Sequence, residues 1–142
     1  MSFIMNFSPD QRRVADFARL AAEEVDGVRD PSEKALVGVA EELVADKEIV
    51  TITNTNGDLL AAASYWVDSE DCILDTLVSN PDYRGQGFGR LALNIVETVA
   101  TDEGANRVEL YSLDSANSFY QRMGYESVVD EDRPFVTHQK NL

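Results

Sequence analysis

The chain has 142 residues, 44 % of them apolar, which suits a single domain (1–142) with a real core. No run of about 18 apolar residues occurs, so no membrane-spanning helix is expected. Twenty-six acids face twelve bases, and the net charge of −14 argues against binding nucleic acid through its phosphates. Such a charge suits a solvated acidic coat first and attraction of a cationic substrate second. Cys72 and His138 are the sole cysteine and histidine, so neither an intrachain disulfide nor a zinc site is expected. The first residues show no basic leader followed by an apolar segment, and a cytoplasmic location is the expectation.

In chain order, Phe3 to Phe7 reads as a short strand. Ser8-Pro9-Asp10-Gln11 reads as a helix start, with Ser8 as N-cap, Pro9 at the first helical position and Gln11 closing a capping box. Val14, Phe17, Ala18, Ala21 and Val25 follow helical spacing, and Gly27 ends that helix. Asp30-Pro31-Ser32 starts a second helix with Ala35, Leu36, Val39, Ala40 and Leu43 on one face. A β-branched strand follows from Ile49, then the hairpin signal Asn56-Gly57-Asp58 and a return strand, Leu59 to Val67. Cys72 to Ser79 is the next strand. A helix then runs to about Glu103, and Gly104 caps it. Arg107 to Leu113 is expected to lie parallel to Cys72–Ser79, because a helix connects them. A short helix, Ser115 to Met123, ends at Gly124. Tyr125 to Val129 and Pro134 to Gln139 complete the pattern, a mixed α/β (α+β) architecture.

The stretch from Asp75 to Val96 organises the rest. Gly85, Gly87 and Gly89 leave backbone N–H groups uncovered where a helix begins, and alternating glycines allow the chain to curl those groups into a nest. Orphan amides and the positive end of the helix dipole attract a phosphate or pyrophosphate. A dinucleotide fingerprint would need glycine at position 90, where Arg90 stands. A P-loop would need a lysine, and none lies between Lys47 and Lys140. A kinase loop would need downstream motifs for which the chain is too short.

Arg84-x-x-Gly87-x-Gly89 after a strand and before a helix, preceded by Pro81, resembles motif A of the GNAT superfamily of acetyl-CoA-dependent N-acetyltransferases. Ala116-Asn117-Ser118-Phe119-Tyr120-Gln121-Arg122-Met123-Gly124-Tyr125 is similar to that family's second hallmark. The two stand in the family's order, and the resemblance covers most of the chain. It implies a GNAT-like fold: a central, mostly antiparallel sheet of about six to seven strands, flanked by about four helices, with two parallel central strands splayed apart. It implies acetyl-CoA or CoA as cosubstrate, with no metal.

The same resemblance implies the site. The amides of Gly85, Gln86, Gly87, Phe88, Gly89 and Arg90, with Arg84, hold the pyrophosphate. The backbone of Leu77, Val78 and Ser79 pairs with the pantetheine arm, and the Ser79 N–H points at the acetyl carbonyl. Tyr120 is the general acid that donates to sulfur, since a phenol near pKa ~10 is protonated at neutral pH. Asp75, where many members carry a glutamate, is the first candidate base, working through water; Glu109 is the second. Seven residues before the tyrosine many members have an asparagine that contacts the cofactor. Leu113 stands there, and Asn117 or the Asp114 side chain is the nearest substitute. The acceptor is expected to be a primary amine on a small molecule or a protein. A CoA-binding regulatory module without turnover is the alternative. A homodimer through the edge of Pro134 to Gln139 is a further expectation.

Overall fold

The computed structural model describes residues 3–7, 9–25, 27–29, 31–112, 114–128 and 136–142. Seven strands are hydrogen-bonded in the order β1-β2-β3-β4-β5-β7-β6: β1 Phe3–Asn6, β2 Glu48–Asn54, β3 Leu59–Asp68, β4 Asp71–Ser79, β5 Arg107–Ser112, β6 Glu126–Val128 and β7 Val136–Asn141. Four α-helices accompany them: α1 Gln11–Glu24, α2 Glu33–Val44, α3 Phe88–Asp102 and α4 Asn117–Arg122. The mixed α/β class expected from the sequence is the class found. The chain forms two compact units, Met1–Tyr65 with Thr76–Val96, and Trp66–Asp75 with Glu97–Leu142. β3, β4 and α3 each run from one unit into the other.

In the first unit α1 begins two residues later than the sequence suggests. Asp10 is its N-cap, and its Oδ1 accepts the Arg13 N–H at 3.0 Å. A carboxylate there both satisfies an orphan donor and meets the positive end of the dipole. Ser8 lies outside the described residues. Gly27, at φ 69°, turns the chain after α1, and the Val28 N–H returns to the Ala22 carbonyl at 2.9 Å. Ser32 caps α2 as expected, accepting the Ala35 N–H at 3.1 Å.

Phe17, Ala18, Ala21 and Leu43 of the two helices bury against Ile49, Leu59, Ala62 and Val78. A second cluster joins Ile52, Leu60, Ala61, Phe88 and Ala92, with Leu77 packed on it. Adjacent Leu77 and Val78 thus serve different clusters, as strand alternation requires. Adjacent Leu60 and Ala61 serve the same one, because the β2–β3 register slips there. Ile52 faces Ala61 and Thr53 faces Leu59, so Leu60 is the extra residue of a bulge.

In the second unit β4 and β5 are parallel, with Asp71 opposite Arg107 and Leu74 opposite Leu110. The Arg107 Nε donates to the Asp71 carboxylate at 3.1 Å at the start of that pairing. Among the described residues the β4–β5 register ends at Leu74, although β5 pairs with β7 as far as Ser112 opposite Val136. The last strand cannot supply the expected dimer edge. β7 lies between β5 and β6, so both sides of its backbone are already hydrogen-bonded. Pro134 lies outside the described residues. No helix among the described residues is long and apolar enough to cross a membrane.

The hairpin between β2 and β3 is clamped by Asn54. Its Oδ1 accepts the Asn56 and Asp58 N–H groups at 3.0 and 2.9 Å, and its Nδ2 donates to Asp58 at 3.1 Å and to the Tyr83 oxygen at 3.2 Å. The Tyr83 hydroxyl in turn donates to Asp58 at 2.8 Å. Asn54→Ala removes these bonds from a buried position and is expected to cost about 1–3 kcal/mol, read as a melting temperature lower by roughly 2–8 °C. The bonds from Asn54 and then Tyr83 hold the Asp58 carboxyl below its ordinary 3.8. Its contribution is therefore complete above about pH 3.8 and lost as the pH falls through the lower folded value. Asp58→Asn should lower the melting temperature at pH 7 and make much less difference at pH 3.

Candidate active site

The glycine loop is built from the end of β4. Asn80 leaves the strand tied to β3, its N–H donating to the Leu60 carbonyl at 2.8 Å and its Nδ2 to the Leu59 carbonyl at 2.8 Å. It then caps a single 3-10 turn, Pro81–Tyr83, by accepting the Asp82 N–H at 3.0 Å. Tyr83 is the residue held by Asn54 and Asp58, so the entry to the loop is fixed on both sides. Gly85 and Gly87 have φ of 80° and 84°. A Cβ at either would meet nothing within 4 Å, so glycine is required there by backbone conformation and not by space.

α3 then starts at Phe88, and its first internal bond runs from the Leu91 N–H to the Gly87 carbonyl at 2.9 Å. The first turn of α3 leaves the amides of Phe88, Gly89 and Arg90 without an intrahelical acceptor. Those donors, at the positive end of a fifteen-residue helix, can hold an anion. Phe88 is buried and anchors the loop, packing edge-on against Phe3. Gly89 lies close over Ser79. Gln86 and Arg90 are exposed. Arg84 is exposed too, and its guanidinium is ion-paired with Glu24 of α1. Leu77 and Val78 point their side chains into the two cores and leave their backbone to the strand edge.

Tyr120, Asn117, Asp75 and Glu109 all belong to the second unit. Tyr120 is 7 % exposed, with its ring against Phe119, Tyr125 and His138 at centroid distances of 5.0, 5.8 and 5.4 Å. Burial pushes its phenol up to about 12. Among the described residues nothing is hydrogen-bonded to its hydroxyl, which leaves a protonated donor uncommitted.

Asp75 is exposed on β4, and Glu109 is half-buried on β5 with no ion-pair partner among the described residues. Glu109 is near the register level of Ile73, two residues before Asp75, so alternation sets both carboxylates on one side of the strands. Tyr120 packs on His138, whose register partner is Leu110, next to Glu109 and facing the other side. Acid and candidate bases are therefore presented from opposite sides.

Asn117 is turned inward. Its Oδ1 accepts the Ser112 hydroxyl at 2.8 Å and stands 3.0 Å from the His138 Nε2. Among the described residues its Nδ2 makes no hydrogen bond. Leu113 and the Asp114 side chain lie outside what the structure describes. Sequence reasoning missed two groups that support the site: the Asn54–Asp58–Tyr83 clamp and the buried His138. The Asn-Gly hairpin hinted at the first. The chain's one histidine, set in a strand, was the available signal for the second. Among the described residues no group of histidine, cysteine, aspartate or glutamate could hold a metal ion. Cys72 is buried, and burial raises its thiol to about 12, so it is no nucleophile.

Comparison with known proteins agrees with this geometry. The chain is 38 % identical over 53 residues to an uncharacterized N-acetyltransferase of Chlorobaculum tepidum; the match covers 37 % of this chain and about a third (33 %) of that protein. Its fold is that of a GNAT-family acetyltransferase from Staphylococcus aureus Mu50, with TM-score 0.77 and 13 % identity over 99 % of both chains. It is also that of the PaiA N-acetyltransferase of Thermoplasma acidophilum, whose structure is a complex with coenzyme A, with TM-score 0.76 and 16 % identity over 100 % of both chains. The family described as acetyltransferase (GNAT) matches residues 14–125, from within α1 to the residue before β6. With that match across most of its length, the chain belongs to the GNAT acetyltransferase family.

Proposed function

We propose that the protein is an N-acetyltransferase that moves the acetyl group of acetyl-CoA to a primary amine, on a small molecule or a protein, by direct transfer in a ternary complex. The observation that carries this is the glycine loop, curled by two positive-φ glycines into the start of α3, whose first-turn amides have no intrahelical acceptor. It is chemistry for a pyrophosphate, and the Thermoplasma relative, which is held with coenzyme A, shares the fold. That 1–142 is one acetyltransferase domain is supported by the three elements that run through both units.

In this reading residues 85–90 take the pyrophosphate, with Arg84 beside them. The backbone of Leu77–Ser79 takes the pantetheine arm as a strand edge takes a peptide. The described β4–β5 register runs as far as Leu74 opposite Leu110, ahead of this segment, which fits the reading. The acceptor nitrogen attacks the thioester carbonyl and the Ser79 N–H stabilises the oxyanion. As the C–S bond breaks, Tyr120 gives its proton to the thiolate. The proton leaving the amine goes to Asp75 through water, with Glu109 as second candidate. The net charge of −14 favours a cationic acceptor.

Tyr120→Phe is expected to lower kcat for thiol release by about 10²–10⁴-fold and to leave CoA affinity within a few-fold. Calorimetric titration of CoA, and thiol release from acetyl-CoA against a panel of amines and basic peptides, read the two quantities. Binding without turnover on every amine would replace the enzyme with a regulatory CoA-binding module. Because burial raises the phenol to about 12, the donor stays protonated across the working range. The alkaline side of the pH–rate profile should show no loss from Tyr120 below about pH 11. Gly87→Ala forces a side chain onto a φ of 84°. It should weaken CoA binding by about tenfold or more, since about 1–2 kcal/mol of backbone strain falls on the nest itself.

A further inference from the structure

α4 carries the proposed acid but is poorly equipped to hold it. It has six residues, and its N-cap, Ala116, makes no side-chain capping bond. A helix that short is marginal without tertiary support. The support comes from one buried hub. His138, on β7, is fully buried. Its Nε2 lies 3.0 Å from the Asn117 Oδ1 at the start of α4, and its Nδ1 lies 3.3 Å from the Ser127 hydroxyl on β6. The Asn117 oxygen also accepts from Ser112, at the end of β5. The Ser127 hydroxyl accepts in turn from the Gln121 amide in the last turn of α4, at 3.5 Å.

An amide oxygen is an acceptor only, so the proton of the imidazole sits on Nε2 and Nδ1 is free to accept from Ser127. Every group then has a partner of the right kind, and both ends of α4 are stapled to β5, β6 and β7. One donor and one acceptor on the same ring is the arrangement of the neutral imidazole. Burial favours that form by holding the imidazole below its usual 6.5. Among the described residues that meet the ring or pair with its strand position, Tyr120 is the one that titrates, beside Leu110, Asn117 and Ser127. The Tyr120 ring lies on the imidazole at 5.4 Å, tilted by 36°.

We propose that His138 is a positioning residue: clamped between Asn117 and Ser127, its imidazole sets the ring of Tyr120 and thereby the place of the hydroxyl that protonates the leaving thiolate. This rests on the reading of Tyr120 as proton donor. The bond that breaks and the proton that moves are those of the transfer step above. His138 itself exchanges no proton with the substrate. Its effect is geometric, and a displacement of about 1 Å in a donor is enough to cost up to about a hundredfold in rate.

The test is a double-mutant cycle on thiol release from acetyl-CoA, with water as acceptor where no amine is used, together with NMR of protein carrying ring-labelled tyrosine. His138→Leu is expected to lower kcat by about 10- to 100-fold with CoA affinity within threefold of the parent. His138→Gln, which keeps a donor for Asn117, should recover most of the loss. In the Tyr120→Phe background His138→Leu should cost nothing further, whereas a merely structural role would multiply. The Tyr120 ring signals, assigned by their loss in Tyr120→Phe, should move in His138→Leu and return in His138→Gln. Should His138→Leu fail to fold, Ser127→Ala removes one arm of the hub from an exposed strand and should shift the same signals and kcat in the same direction. Unmoved ring signals, or multiplicative rate losses, would overturn the proposal. If Tyr120→Phe keeps full turnover, the reading of the acid has failed, and the ring signals still decide whether His138 sets the tyrosine.

Discussion

The first-turn amides of α3 have no intrahelical acceptor, and much of the first unit makes sense as support for them. An unpaired N–H in the open is tolerable because water can meet it, but neighbouring donors must be held in one shape to act together. Gly85 and Gly87 give the curl, yet glycine is also the residue with most freedom to lose it. The rigidity is supplied from outside the loop. Asn80 is pinned to the bulged end of β3, Tyr83 is held by Asn54 and Asp58, and Phe88 is buried in a core. The contacts at these anchors are between uncharged groups, except at the Asp58 carboxylate, which two neutral donors favour in its charged form. In a chain with so many acids, an anion site has to be made from amides. The one arginine at its entrance is already matched by Glu24.

The second unit handles buried polarity in a different way. Two polar systems lie behind its strands, and each is closed. The Tyr125 hydroxyl donates to Glu97 at 3.0 Å, and Lys140 bonds the same carboxylate at 3.1 Å and the Met123 carbonyl at 3.0 Å. Glu97 and burial raise the Tyr125 phenol, so it remains a donor to that carboxylate. Beside it, the His138 system is uncharged throughout. Tyr120 lies between Tyr125 and His138, and among the described residues its hydroxyl shares hydrogen bonds with neither, although the Tyr125 N–H donates to the Tyr120 carbonyl at 3.0 Å. A phenol flanked by satisfied groups has no competitor for its proton, which is the condition that the proposed role as general acid needs.

Legibility in the sequence followed the range of the interactions. Gly27, Gly104 and Gly124 mark helix ends that short-range geometry explains, and each has the positive φ expected of it. The parallel pairing of β4 and β5 was readable because a helix intervenes. The glycine loop was readable because its chemistry is backbone chemistry at fixed spacing. What was hidden depended on partners far apart in the chain. Asp10 displaced Ser8 as cap because both are good caps, and local pattern does not choose between them. The Pro134–Gln139 strand was read as an edge because alternation says nothing about order in a sheet. Its neighbours on both sides became visible with β5 and β6 in place. His138 was counted in the sequence as too few histidines for zinc; its two partners come from Asn117 and Ser127, 21 and 11 residues away.

In the proposed mechanism the separation of acid from base follows from strand geometry. Glu109 and Leu110 are neighbours on β5, so their side chains leave opposite faces. The Leu110 side is the His138 and Tyr120 side; the Glu109 side is that of Asp75. If a carboxylate stood beside the phenol, it would accept the phenol's hydrogen bond and hold the proton that has to be given away, as Glu97 does for Tyr125. It would also be shielded from any amine it had to serve. Opposite faces remove both problems at once, since one strand can carry the base candidate and the wall of the acid without letting them meet. Under that proposal the reacting group arrives in the plane of the strands, and the described β4–β5 register runs as far as Leu74, one residue before Asp75.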